Sequence, residues 1–251
     1  MAKTSLSVLV PAFNEEHLIA RSLSRLCILE KCPYLEKLQV VVVNDGSTDN
    51  TAGAAKEFIN RQSSDRIEWL FIDQKQNAGK GKAIQEALKH ADCAVSIIHD
   101  ADLEYHPKDI YRMLPLFLNE GADAVYGSRF AAWEFRRVLF FRHELGNRFI
   151  TFICNLVSNL NLTDIETCYK AVKTDLIKSI PITSNDFTIE PELTIKLAKR
   201  NATVFEIPIN YSGRTYEEGK KIKWLDGIRA LWAILKFGLS DNIHKADIHG
   251  S

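Results

Sequence analysis

The sequence predicts an α/β protein, a mostly parallel sheet covered by helices on both faces. Two observations lead there. Apolar strand-like runs alternate with helix-like stretches through the first half of the chain, the signature of βαβ units. Runs such as VVVV at residues 40–43 are apolar without a break, as strands buried on both faces are.

In chain order, the pattern gives a strand at residues 6–10 (LSVLV), a helix at 15–29, a strand at 38–43 (LQVVVV), a helix at 48–61 and a strand at 67–72. A helix at 81–90, a strand at 94–98, a helix after Pro107 and a strand at 124–126 continue it. No repeat, low-complexity segment or Pro/Gly/Ser linker interrupts residues 5–215. Residues 1–215 therefore read as one domain, 216–241 as a mobile loop and amphipathic helix belonging to it, and 242–251 as a tail.

Composition narrows the class. With 251 residues, 46% hydrophobic and 25% charged, the chain is an ordinary globular one. Lys+Arg and Asp+Glu both number 32, so no global basic field points to nucleic acid. The five cysteines are scattered and never spaced as CxxC, which argues against a disulfide framework or a zinc site. No apolar run approaches the roughly 18 residues that span a bilayer, and the N-terminus lacks a signal-peptide layout. A cytoplasmic chain is expected.

Each strand of the first half ends in polar residues where the carboxyl edge of the sheet should lie. The first leads to PAFNEE at 11–16, the second to NDGSTDNT at 44–51, the third to NAGKG at 77–81, and the fourth to HDADLE at 99–104. Ser47 or Asp49 can serve simply as a helix cap and Gly46 as a turn; Asp45 has no such role. Asp100 and Asp102 are spaced by two, so on an extended chain both carboxylates face one way. Beyond a strand end in an open α/β sheet they reach the crevice where ligands bind. Two carboxylates there suit Mg²⁺ or Mn²⁺, which draws further ligands from water and a diphosphate. A solvated acidic turn is the alternative. QNAGKGKA at 76–83 lacks P-loop spacing, and no GxGxxG or GxSxG is present.

VPAFNEE, VVVNDGSTDNT, NAGKGKA and HDADLEYHP, in this order and spacing, resemble family 2 glycosyltransferases with the Rossmann-like GT-A fold. GSRF at 127–130, LTDIETCYKA at 162–171, FTIEPELTIKLAKR at 187–200 and IPINYSGRTYEEGKKIKWLDG at 207–227 are similar to the dolichyl-phosphate mannose or glucose synthase-like branch, with its polyprenyl-phosphate relatives. The resemblance covers about residues 5–237. It implies that Pro11, Asn14 and Glu15 line a nucleotide pocket and that Asp45 bonds the base or ribose of a UDP- or GDP-hexose. Asn44 departs from the acid usual before Asp45. Asp100 and Asp102 are implied to hold the metal with Glu104 as a third ligand, and Lys80 to lie near the donor, unless it is a surface lysine.

Breaking a sugar–diphosphate bond builds negative charge on the leaving phosphate, so a Lewis acid and cations are needed there. A lipid-phosphate acceptor is already an anionic oxygen and needs no strong base; arginines can hold it by bidentate contact. Arg129, Arg142, Arg214 and Lys220 are the candidates. By resemblance Arg129 and Arg142 meet the acceptor phosphate, while Arg214 and Lys220 close over the diphosphate on a loop at 215–223. Glu192 could touch a sugar hydroxyl or belong to a helix start.

VLFF at 138–141 and FITFICNLV at 149–157 beside Arg142, with the apolar spacing of residues 224–239, fit either an interfacial platform or core packing. The expectation is peripheral attachment to the cytoplasmic face of a membrane, directly or through a membrane partner protein. The whole reading is an inverting, metal-dependent hexosyltransferase acting on a polyprenyl phosphate. Its alternatives are a GT-A transferase acting on a sugar or glycan hydroxyl, for which Glu166 or Asp164 would be the base, and a non-catalytic nucleotide-sugar-binding subunit.

Overall fold

The computed structural model describes residues 2–131, 137, 140–215 and 224–240. Four strands of the first half, β1 (Thr4–Ala12), β2 (Leu35–Asn44), β3 (Ile67–Asp73) and β4 (Val95–Ile98), pair in parallel around β1. The apolar runs explain the placement: Leu6, Val8, Leu9 and Val10 of β1 and Val40 to Val43 of β2 are fully buried, so neither strand can sit at an edge. Helices α1 (Ile19–Leu26), α2 (Thr51–Asn60), α3 (Lys80–His90) and α4 (Ile110–Asn119) connect these strands and lead onward.

Two predicted helices are shorter than their periodicity. The stretch expected to be helical from residue 15 begins at Ile19, because Asn14 takes a left-handed φ of 50° and the Glu15 carbonyl accepts from Leu18 and Ile19 N–H. It ends as a 3-10 turn over Cys27–Lys31. The next helix begins at Thr51, where Asp49 Oδ1 accepts the Thr51 N–H at 3.0 Å.

The second half breaks the simple alternation. Strands β5 (Ala124–Ser128) and β7 (Val204–Pro208) run parallel, but β6 (Lys170–Lys173) enters antiparallel between β4 and β5. Among the described residues the sheet has the order β3-β2-β1-β4-β6-β5-β7. This reversal has a consequence for the site. Residues leading into β6 arrive at the edge where β4 and β5 end, so the 164–168 segment joins Asp100 and Arg129 there. Helices α5 (Phe141–Ser158), α6 (Thr174–Ser179), α7 (Ile189–Lys199) and α8 (Trp224–Ser240) complete the fold, with α8 resting on α5 and α7. All five cysteines are free.

Gly79, just before α3, has a φ of +98° and lies against the backbone of Asn185, where an added Cβ would be 2.3 Å from the carbonyl oxygen. Gly121, at φ +67°, would meet nothing within 4 Å. Gly79→Ala should therefore cost about 1–3 kcal/mol from backbone strain alone, plus the clash, and more than Gly121→Ala; urea unfolding of the two variants measures the difference.

Candidate active site

The carboxyl edge of β1, β2 and β4, with the segments before α3, α5 and α7, encloses a cavity of about 900 Å³. It lies at the reversal of strand order beside β1, the position where open α/β sheets bind ligands. Pro11, Glu15, Asp45, Lys80, Asp100, Asp102, Glu104, Arg129, Arg142 and Arg214 all line it. Asn14 is not among the lining residues; its Oδ1 accepts the Thr48 N–H at 2.9 Å and ties the loop after β1 to the loop after β2. Lys220 and the 216–223 loop lie outside the described residues, as do 138–139 and the tail from 241.

The acidic segment is a turn, not the extended strand that its spacing suggested. Strand β4 ends at Ile98, residues 101–103 turn, Leu103 has a φ of 66°, and Glu104 N–H donates to Asp102 Oδ1 at 3.1 Å. Lys80 Nζ stands between two acids, 3.0 Å from Asp100 and 3.1 Å from Glu190 Oε1. With its side chain 11% exposed, it is a member of the site rather than a surface lysine. Arg214 bridges the others, with Nη2 3.2 Å from Asp102 Oδ2 and 3.4 Å from Glu15 Oε1. Glu104 holds that segment in place, accepting Arg214 N–H at 2.7 Å and the Tyr211 hydroxyl at 2.8 Å. Each of its oxygens accepts a protein donor there, and among the described residues it does not join Asp100 and Asp102 in a three-carboxylate group, which differs from the third-ligand role expected of it.

Charge within this group is uneven. Burial raises the pKa of Asp100, but the Lys80 ammonium overrides it and holds the group below its ordinary value. Asp102 is pushed up to about 7 by burial and by the charges of Asp100 and Glu104, against the pull of Arg214. Neighbouring acids with opposite shifts are what two carboxylates sharing one site produce. The donor set fits a hard divalent cation, since such an ion takes oxygen ligands and would relieve the crowding at Asp102. Among the described residues no group of three His, Cys, Asp or Glu side chains is arranged to hold a metal. An ion here would rest on Asp100 and Asp102 and on oxygens from a substrate.

Asp45 does not point a free carboxylate into the cavity. It accepts Ala78 and Gly79 N–H at 2.8 Å each and Asn77 Nδ2 at 3.0 Å, shaping the loop that delivers Lys80. Asn44, where an acid was expected, donates to Asp73 at 2.8 Å. Arg129 is fixed by a bidentate pair with fully buried Asp164, Nε at 2.6 Å and Nη2 at 2.7 Å, and stacks over Tyr211. Arg142 sits in the first turn of α5, exposed at the cavity mouth.

Of the two readings of Glu192, the helix start is the one the structure shows, since Glu192 lies in the first turn of α7. Glu192 is fully buried away from the cavity, receiving Thr183 and Ser184 N–H and Lys196, whereas Glu190 lines the cavity and pairs with Lys80 and Lys170. Two residues apart on a helix they face different ways. His143 and Asn147 also line the cavity, as does Cys168 within LTDIETCYKA, and none of the three was assigned a site role from the sequence.

Glu166 lines the cavity too, and burial lifts its carboxyl to about 7, against the pull of Lys170. The folded state then binds this proton more tightly than the unfolded chain does, so stability falls as pH rises from the ordinary carboxylate range through about 7. Glu166→Gln cannot ionise. It should melt above the wild type at pH 8, by about 2–4 °C for each kcal/mol relieved, and the gap should close toward pH 4; thermal melts at the two pH values check this.

The glycosyl transferase family 2 model matches residues 7–180. The glycosyltransferase AglJ of Haloferax volcanii is 28% identical over 82% of this chain and 63% of its own length. The undecaprenyl-phosphate 4-deoxy-4-formamido-L-arabinose transferase of Edwardsiella ictaluri is 26% identical over 85% of this chain and 62% of its own. In structure, glucosyl-3-phosphoglycerate synthase from Mycobacterium tuberculosis, solved with Mn²⁺, UDP and glucosyl-3-phosphoglycerate, superposes with a TM-score of 0.70 over 95% of this chain and 82% of its own at 19% identity. At that identity the likeness establishes the GT-A fold alone. With its motifs, its sheet order and a family match over more than half its length, the chain belongs to glycosyl transferase family 2.

Proposed function

We propose that the protein transfers a hexose, with inversion, from a UDP- or GDP-sugar to a polyprenyl phosphate, using Mg²⁺ or Mn²⁺. The observation that carries this is the shared cavity: Asp100 and Asp102 face the same space as Arg129, Arg142 and Arg214, and its mouth opens beside two exposed apolar helix faces. Nucleotide sugar and lipid phosphate are both anionic, so bringing them together is an electrostatic task. Asp100 and Asp102 would hold a divalent ion, which would supply Lewis-acid stabilisation of the leaving diphosphate. Arg214, now spread over Asp102, Glu15 and Glu104, is placed to meet diphosphate oxygens. Arg129, clamped by Asp164, and Arg142 at the mouth would receive the acceptor phosphate, whose oxygen attacks the anomeric carbon opposite the leaving group without a protein base. The relative named for undecaprenyl phosphate and the neighbour solved with UDP and Mn²⁺ support the acceptor and donor classes.

The apolar faces supply the membrane side of the reading. On α5, Phe141, Leu145, Phe149, Phe152 and Leu156 are exposed; on α8, Trp224, Ile228, Trp232, Leu235 and Leu239 are. Core packing takes Ile150, Cys154, Ala230, Ala233, Ile234 and Phe237 of these stretches, while Phe141 is 76% and Trp232 62% exposed. The spacing makes a stripe on each of two packed helices, flanked by Arg142, Arg148, Arg229 and Lys236, which suits an interfacial site on anionic lipid. Among the described residues no helix is long and apolar enough to cross a membrane. A hydroxyl acceptor would instead require a base, and with Asp164 tied to Arg129 only Glu166 of the two expected acids is available for it.

Purified protein supplied with UDP-glucose or GDP-mannose and Mn²⁺ should release nucleoside diphosphate only when a polyprenyl phosphate is added, and Asp102→Ala should lower that rate about 100- to 1,000-fold. Turnover on soluble hydroxyl acceptors with none on the lipid would overturn the acceptor assignment. Phe152→Asp/Trp232→Asp should cosediment with anionic vesicles far less than the wild type, with its melting temperature unchanged.

A further inference from the structure

We propose that Glu166 reads the transferred sugar, its carboxylate accepting a hydrogen bond from a hydroxyl of the donor hexose. This rests on the nucleotide-sugar reading above and deepens it. Every other acid on the cavity wall has a protein donor: Glu15, Asp102 and Glu104 have Arg214, Asp45 has the Asn77–Gly79 loop, Asp100 has Lys80, Glu190 has Lys170 on Oε2 and the Lys80 ammonium 3.1 Å from Oε1, Asp186 has Thr188, and Asp226 has Arg229. Glu166 makes no hydrogen bond or ion pair with a described residue, and its Oε1 is shut off from solvent without a partner.

The nearest cation is already spent. Lys170 Nζ donates to Ile165 O at 2.7 Å, to Thr167 O at 2.5 Å and to Glu190 Oε2 at 2.6 Å, and an ammonium has three donors in all. Those bonds do a second thing: they pin the carbonyls on both sides of Glu166. The Asp164 clamp on Arg129 fixes the chain two residues earlier, and β6 fixes it four residues later. Glu166 is therefore presented to the cavity by a rigid segment while its own carboxyl is left unsatisfied. A preorganised acceptor of this kind selects a ligand with a matching donor. A phosphate would be repelled by it. Of the groups that the two anionic substrates bring to the cavity, the transferred hexose is the neutral one rich in hydroxyl donors. The chain Lys170–Glu190–Lys80–Asp100 links this position to the metal-side acids at ion-pair distances, which sets Glu166 on the sugar side of the diphosphate.

The test is calorimetric binding with Mn²⁺ present, comparing UDP and GDP with UDP-glucose, GDP-mannose and the monodeoxy forms of whichever hexose donor binds. Glu166→Ala should weaken the hexose donor about 10- to 100-fold, the range for a hydrogen bond to a charged group, and leave the free nucleoside diphosphate unchanged. One monodeoxy donor should lose the same factor on the wild type and nothing further on Glu166→Ala, a coupling that a merely structural role would not produce. Glu166→Gln, which preserves side-chain volume, should give the same ordering with a smaller loss. Equal weakening of diphosphate and hexose donor, or no coupled hydroxyl, overturns the proposal. Unchanged donor binding with a collapsed kcat on a hydroxyl acceptor also overturns it, and makes Glu166 the base. If the wild type binds the diphosphates but neither hexose donor, the nucleotide-sugar reading fails first and takes this inference with it.

Discussion

Carboxylates gathered at one edge of a sheet repel one another, and this chain meets that constraint with cations set between them. Lys80 stands between Asp100 and Glu190, Lys170 behind Glu190, and Arg214 among Asp102, Glu104 and Glu15. The supporting loops follow from it. Asp45 shapes the turn that carries Lys80 into the interior, and Glu104 with Tyr211 holds the segment that brings Arg214 across the cavity. Removing one member would leave a buried charge without its partner, which typically costs about 3–5 kcal/mol; that penalty ties the geometry of the site to the integrity of the fold.

Neutralisation is incomplete in two places. Asp102 and Glu166 are both pushed up to about 7, Asp102 by burial and the neighbouring acids, Glu166 by burial against the pull of Lys170. At Asp102 the imbalance comes from neighbouring acids and matches a site able to take a cation. At Glu166 it comes from burial without a donor and matches a site able to take a hydroxyl. Lys80 and Arg129 are the reverse case, cations kept charged against burial, Lys80 by Asp100 and Glu190 and Arg129 by Asp164. Together they give one cavity a graded set of needs, met by a metal, a diphosphate and a neutral sugar in turn.

The apolar surface obeys a different constraint. A helix buries one stripe, and α8 does so through Ala230, Ala233, Ile234 and Phe237. Its remaining large residues, with those of α5, have nowhere inside to go. Because both helices also wall the cavity through Ile150, Trp224 and Ala230, the apolar face and the charged site share a border.

The sequence by itself determined the first half of the fold and the membership of the site from that half. Continuous apolar strands had to be central, and the polar clusters after them had to meet at one edge, so Glu15, Asp45, Lys80, Asp100 and Asp102 were legible. Their contacts were not. The two-residue spacing of Asp100 and Asp102 suggested an extended strand, whereas Leu103 turns the chain through a left-handed conformation. Tertiary structure alone decided the second half, because pairing β6 antiparallel is a matter of which strand edges remain open, not of local pattern. That reversal gave Asp164 to Arg129, and the face that α7 turns to the cavity chose Glu190 over Glu192. The reversal also left Glu166 facing the cavity, since only the folded chain reveals which acids have already found a donor.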